Sequence, residues 1–92
     1  MAEFLAEFYL SPSDREAAQV GADRARLAAE ELALRGTPVR YLSSIFLPED
    51  ETCFHLYEAS SAEAIREVTQ RAELSFERVL EAIPNTVAAR EE

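Results

Sequence analysis

Three stretches of the chain alternate between apolar and polar residues, a pattern typical of half-buried β-strands. Residues 3–10 form the first, and residues 39–47 and 51–59 the next two. The short polar segment 48–50 separates the last two, so they are predicted to form a hairpin. A fourth, shorter strand is predicted over 77–83 and ends before Pro84. Successive side chains of a strand point to opposite faces, so one face of the first strand is apolar: Phe4, Ala6, Phe8 and Leu10.

Two segments between these strands have apolar residues at helical spacing. The first extends from the Ser11–Ser13 region to Arg35, with Ser11 or Ser13 as the N-terminal cap and Gly36 as a left-handed stop. The second begins at Ser60, which forms a capping box with Glu63. Its predicted buried stripe consists of Ile65, Val68 and Ala72.

The predicted order is therefore β-α-β-β-α-β, which is typical of the α+β ferredoxin-like fold. In this fold two helices cover one face of a four-stranded antiparallel sheet, and the other face is left open. With 92 residues the chain can build one hydrophobic core. We expect a single domain over 1–92, with its ordered core over about 3–84 and a tail over 85–92.

The composition of the chain argues against several classes of function. The formal net charge of −9 disfavours sequence-independent binding to nucleic acid and docking on anionic membranes, because both require cationic side chains. A single Cys excludes an internal disulfide and suits a reducing compartment. The sequence shows no charged n-region followed by an apolar h-region and no apolar run long enough to span a bilayer, so a cytoplasmic location is expected.

Residues 51–59 carry the chain's only Cys and only His, two positions apart. Cys53, His55 and Tyr57 share one face of the predicted strand, and Phe54 and Leu56 share the other. If Phe54 and Leu56 pack against the helices, the open face carries Cys53, His55 and Tyr57. Glu7 and Tyr9 of the first strand would then join them there.

The faces of the two remaining strands depend on register. In the second strand the open face carries either Tyr41, Ser43 and Ile45 or Leu42 and Ser44, and the Tyr41 set is favoured. In the last strand the alternatives are Val79, Glu81 and Ile83 or Arg78, Leu80 and Ala82, and Glu81 is favoured on the open face. The predicted ligand-binding residues are therefore Glu7, Tyr9, Tyr41, Ser43 and Tyr57.

A metal site is the most specific chemical hypothesis for this face. Alternate residues on a strand lie roughly 7 Å apart at the backbone, so Cys53 and His55 could reach one borderline-soft ion such as Ni, Zn or Cu, with Glu7 as an oxygen donor. A tight structural site needs about four ligands, and a second subunit could supply the rest. In the alternative interpretation, Cys53 is a small buried hydrophobic residue, and His55 is an interface residue whose hydrogen bonds are made within the protein.

Residues 50–59 followed by 62–67 resemble a widespread bacterial family of small ferredoxin-like domains of unknown function, which includes an actinobacterial nickel-binding protein. Further matches are Glu7, Tyr41 with Ser44, and residues 74–79. The family often has Cys at the position of His55. The resemblance implies a homodimer with its open sheet faces apposed and a site for nickel, another divalent metal or a small ligand.

Three hypotheses for function follow. The first is a dimeric module that binds a metal or small ligand on the open face. The second is a small-molecule enzyme of the isomerase or oxygenase kind, with Glu7 and Tyr9 as base and acid by analogy of fold. The third is a pure interaction protein, in which the open face serves only subunit association. No catalytic residue is assigned.

Overall fold

The computed structural model describes residues 1–85, and the predicted tail lies from residue 86 onward outside this range. The elements are β1 (Ala2–Tyr9), α1 (Arg15–Leu34), β2 (Val39–Leu47), β3 (Thr52–Ala59), α2 (Ala62–Arg71) and β4 (Arg78–Ala82). The strands form one sheet in the order β2-β3-β1-β4, and every neighbouring pair is antiparallel. The ferredoxin-like α+β prediction is confirmed.

Helix α1 begins later than predicted, because Asp14 and not Ser11 caps it. The Asp14 carboxylate accepts a hydrogen bond from the Ala17 N–H at 3.3 Å, while the Ser11 hydroxyl pairs with Ser13. The helix ends as predicted before Gly36, whose φ of 100° is left-handed. Its buried side is made almost entirely of small residues, which allow the helix to approach the sheet closely: Gly21, Ala22, Ala25, Ala28, Ala29 and Leu32.

Helix α2 contributes branched apolar side chains to the helix layer of the core. Ser61 caps it by accepting a hydrogen bond from the Ala64 N–H at 3.4 Å, one residue later than predicted. Ile65 and Val68 are fully buried, so the predicted stripe is correct. Because α1 contributes mainly alanine, much of the hydrophobic stabilisation of the helix layer comes from these two residues.

The register between β1 and β3 corrects the prediction for the site. Directly opposed residues of an antiparallel pair lie on the same face. Cys53, His55 and Tyr57 of β3 each lie opposite a residue from the apolar face of β1. The pairs are Phe4 with Tyr57, Ala6 with His55, and Phe8 with Cys53. All six are buried. The prediction that Cys53, His55 and Tyr57 lie on the open face is therefore wrong: they face the helices.

In strands β2 and β4, one residue each lies on the opposite face of the sheet from the one predicted. In β2 a bulge at Leu42 places one extra residue between Tyr41, which opposes Tyr57, and Ser43, which opposes Leu56. An extra residue reverses the alternation, so Tyr41 lies on the helix side and Ser43 on the open face. The prediction that both share the open face is wrong. In β4, Glu81 opposes Phe4 and so lies on the helix side, not on the open face as predicted.

The open face, meaning the side of the sheet away from both helices, has an apolar centre. One row of opposed residues crosses it as Ser43, Leu56, Leu5 and Leu80, and the next as Ile45, Phe54, Glu7 and Arg78. Ion pairs flank the apolar residues: Arg40 contacts Glu58 at 2.8 Å, and Arg78 contacts Glu7 at 2.6 Å. Ile45 is 59% exposed although it is large and apolar.

A candidate metal site beneath the first helix

A cavity of about 180 Å³ lies between α1 and the helix side of the sheet, and it is lined by both Cys53 and His55. The remaining wall is mostly apolar: Phe8, Leu10, Ala17, Ala18, Gly21 and Leu74. Tyr9, Glu73 and Ser75 complete the lining and are exposed to solvent, so they form its mouth. The cavity thus has the chain's only thiol and only imidazole on its floor.

The space exists because α1 presents only small residues here. Gly21 has no side chain, and a Cβ at this position would meet the Leu74 Cδ2 atom at 3.6 Å, an ordinary contact distance. A Cβ at position 21 would therefore not clash, so steric crowding does not require glycine here. Glycine in a helix interior is less favourable than alanine by roughly 1 kcal/mol. Because Gly21, Ala17 and Ala18 carry little or no side chain, the α1 wall of the cavity is set back from the sheet.

Burial keeps both candidate ligands neutral. Cys53 and His55 are each only 3% exposed. Desolvation raises the pKa of the Cys53 thiol and lowers the pKa of His55 from 6.5 to about 4, since burial disfavours the charged form of either group. At neutral pH the site therefore holds a thiol, which is not an activated nucleophile, beside a neutral imidazole, which is the form that binds metals.

One ring nitrogen of His55 also lacks a hydrogen bond. Its Nδ1 atom and the Tyr57 hydroxyl are buried without a hydrogen-bond partner, and leaving such a group unsatisfied costs about 1–3 kcal/mol. The imidazole is held between aromatic rings, with the centroid of Phe8 at 4.6 Å and that of Tyr41 at 5.9 Å. A buried, oriented ring with an unsatisfied nitrogen, on the wall of a cavity, is suited to bind a ligand.

The structure does not assemble the predicted trio of Cys53, His55 and Glu7. Glu7 lies on the open face, where its Oε1 accepts a hydrogen bond from the Arg78 Nε at 2.6 Å. Within residues 1–85, no group of three or more His, Cys, Asp or Glu side chains is placed to hold one metal ion. Only the Cys–His pair of the predicted metal ligands is brought together.

The predicted ligand-binding residues are divided between the two faces. Tyr41 and Tyr57 surround His55 on the helix side, with ring centroids 5.6 Å apart. Glu7 and Ser43 lie on the open face, and Tyr9 is exposed at the mouth of the cavity. The predicted acid–base pair of Glu7 and Tyr9 borders an acidic surface depression with Asp50, Glu51 and Glu77. Tyr9 lines both this depression and the cavity, whereas Glu7 lines only the depression.

Sequence reasoning missed the residues that α1 and the segment after α2 contribute to the cavity. Gly21, Leu74 and Ser75 line it, but none lies in a sequence motif that indicates catalysis or metal binding. One signal was present in the sequence: Gly21 interrupts an alanine-rich helix, and a glycine inside a helix often marks a packing or functional requirement.

Among residues 1–85, no helix is long and apolar enough to cross a membrane.

Comparisons with known proteins agree with the fold and identify the family. The profile of the family described as nickel responsive protein SCO4226-like matches residues 5–82. The crystal structure of SCO4226 from Streptomyces coelicolor A3(2) is similar, with a TM-score of 0.69 and 24% sequence identity over 92% of this chain and 100% of that one. No curated protein sequence matches the chain. The family match covers most of the chain, and the chain therefore belongs to the SCO4226-like family of nickel responsive proteins.

Proposed function

We propose that this protein binds Ni²⁺ through the Cys53 thiolate and the His55 imidazole, in the cavity beneath α1. The observation that carries the proposal is that the chain's only Cys and only His line one cavity. The Nδ1 atom of the same His55 is buried without a hydrogen-bond partner. Membership of a nickel responsive family supports the choice of metal.

The donor set fits a borderline-soft ion. Thiolate and imidazole ligands favour Ni, Cu and Zn, whereas Mg²⁺ and Ca²⁺ prefer oxygen ligands. A bound ion would hold Cys53 as the thiolate, so the thiol must release its proton. His55 is already neutral at pH 7 and releases none. Because only two such donors meet in residues 1–85, the site suits an ion that exchanges, not one that is locked into the fold.

Titration calorimetry of the metal-free protein with Ni²⁺ tests this proposal. The double variant Cys53→Ala, His55→Leu should bind at least about tenfold more weakly, which is the loss seen when even an outer partner of a metal ligand is removed. Glu7→Gln is the matched control, because Glu7 lies on the other side of the sheet. Unchanged nickel affinity in the double variant, or a larger loss in Glu7→Gln, would contradict the cavity site.

We also propose that the open face associates with the open face of a second copy to form a homodimer. Leu5, Phe54 and Leu56 at its centre lie beside Ile45 and Leu80, which are large, apolar and exposed. Exposed apolar patches of this kind mark interaction sites. The flanking ion pairs carry both signs of charge, so two identical faces can be complementary in a two-fold arrangement.

Sedimentation at micromolar concentration tests the dimer. The protein should sediment as a dimer, and Ile45→Asp should sediment as a monomer because it buries a charge at the interface. Leu34→Asp is the control, since Leu34 is 89% exposed on α1, away from the open face. A monomeric wild-type protein, or an Ile45→Asp variant that remains dimeric, would refute the proposed interface.

A further inference from the structure

The thiol on the floor of the cavity is almost inaccessible although the mouth of the cavity is open to solvent. Cys53 is only 3% exposed, whereas Glu73 and Ser75 at the mouth are exposed. Leu74 lies between these two residues and is half-buried in the wall. All three belong to the short connection between α2 and β4. Residues 73–75 therefore form a part of the wall that lies outside the helices and strands.

Two contacts fasten this connection to α1. The Leu74 Cδ2 atom lies 3.6 Å from the position that a Cβ would take at Gly21, so the leucine packs on the helix where the helix has no side chain. At the next turn of α1, Arg24 Nη2 donates a hydrogen bond to Glu73 Oε1 at 3.1 Å. Positions three apart lie on the same side of a helix, so the two contacts are neighbours.

Glu73 has a backbone conformation that favours glycine. Helix α2 ends in a Schellman motif, in which the Leu74 N–H donates to the Thr69 carbonyl at 2.8 Å. The left-handed position of this motif is usually glycine, but here it is Glu73, with a φ of 58°. The ion pair that Glu73 forms with Arg24 is exposed, and exposed ion pairs contribute little to stability. Stability of the fold therefore does not explain a glutamate at this position, and we look for its role at the mouth of the cavity.

We propose that the Arg24–Glu73 ion pair is a latch that holds residues 73–75 against α1 and thereby limits access to Cys53. When the ion pair separates, Leu74 moves away from Gly21 and the floor of the cavity becomes accessible to molecules larger than water. Connections with few buried contacts open locally at a lower free energy than the whole domain unfolds. The inference concerns access only, so it does not depend on the proposed nickel function.

The reaction of the thiol with 4,4′-dithiodipyridine measures this access. Cys53 is the chain's only thiol, so the absorbance of the released thiopyridone follows one site in the full-length, metal-free protein at low salt. Arg24→Gln and Glu73→Gln should each raise the rate roughly twofold to fivefold, the range expected from the loss of an exposed ion pair. The reagent is neutral and the two variants change the local charge in opposite directions, so an effect of charge on the thiol would not accelerate both.

Two further variants separate the latch from a general loss of stability. Arg71→Gln removes the other ion pair between α1 and α2, with Glu31 at 2.7 Å, and neither of its members lines the cavity. The rate in this control should match that of the wild-type protein. Glu73→Gly should react faster than the wild-type protein and yet require more urea to unfold, because glycine adopts the left-handed conformation more readily.

Three results would overturn the latch. The first is an equal rate in the wild-type protein, Arg24→Gln and Glu73→Gln. The second is an acceleration in Arg71→Gln as large as that in Arg24→Gln, because access would then follow overall stability. The third is a Glu73→Gly protein that reacts no faster than the wild-type protein. None of these results bears on nickel binding, which is measured separately.

Discussion

The burial of His55 predicts a specific loss of stability in mild acid. The imidazole has a pKa lowered from 6.5 to about 4 by desolvation, and it is the chain's only histidine. Between pH 6.5 and pH 4 the unfolded chain binds a proton on this ring that the folded chain does not. The free energy of unfolding must therefore fall as the pH is lowered through this window.

The size of the effect follows from the two pKa values. With 6.5 for the unfolded chain and about 4 for the folded protein, the free energy of unfolding should be about 2 kcal/mol lower at pH 5 than at pH 8. Histidine is the side chain whose ordinary pKa places its charge change between pH 5 and 8, and the carboxylates titrate mainly below this window. His55 should consequently dominate the change.

Urea unfolding at a series of pH values from 8 to 5, followed by circular dichroism at one fixed protein concentration, measures this dependence. His55→Leu is the matched control, because it keeps an apolar side chain in the same space and removes the titrating ring. Its stability should change little over the same window. A wild-type protein whose stability is flat from pH 8 to pH 5, or a His55→Leu variant with the same slope, would refute the burial argument.

Further predictions concern the helices and the thiol. Gly21→Ala should raise the free energy of unfolding by roughly 0.5–1 kcal/mol, because alanine is the better helix former and its Cβ meets only an ordinary contact; a loss in urea unfolding would contradict this. Ile65→Ala should cost about 2–5 kcal/mol in the same assay, since Ile65 is fully buried, and a cost below about 1 kcal/mol would show that the core is misplaced. Nickel binding at pH 7 should release close to one proton, from Cys53, because burial raises the thiol pKa. Calorimetry in buffers of different ionisation enthalpy counts that proton, and release of none would contradict thiolate ligation.

The order of elements could be predicted from local patterns alone. Alternation identified the strands, and the left-handed Gly36 ended α1 where expected. The faces of the strands could not be predicted in the same way, because a shift of one residue moves every side chain of a strand to the other face. Phe54 and Leu56 are more apolar than Cys53 and His55, so hydrophobicity favoured the wrong assignment.

One detail of β3 would have favoured the correct register. Glu58 shares a face with Phe54 and Leu56, whereas Ala59 shares the face of Cys53, His55 and Tyr57, which therefore lacks any carboxylate. The bulge at Leu42 has no comparable sequence signal, since no glycine marks it. The cavity depends on how α1 crosses the sheet, which is a property of packing and not of any single segment.

The most direct test of the nickel site is a titration of the metal-free protein with Ni²⁺, followed by near-ultraviolet absorption from charge transfer between thiolate and nickel. Wild-type protein should develop a band that saturates at equimolar nickel, and Glu7→Gln should behave in the same way. Cys53→Ser should develop no such band. Absence of the band in the wild-type protein, or its persistence in Cys53→Ser, would contradict a nickel site beneath α1.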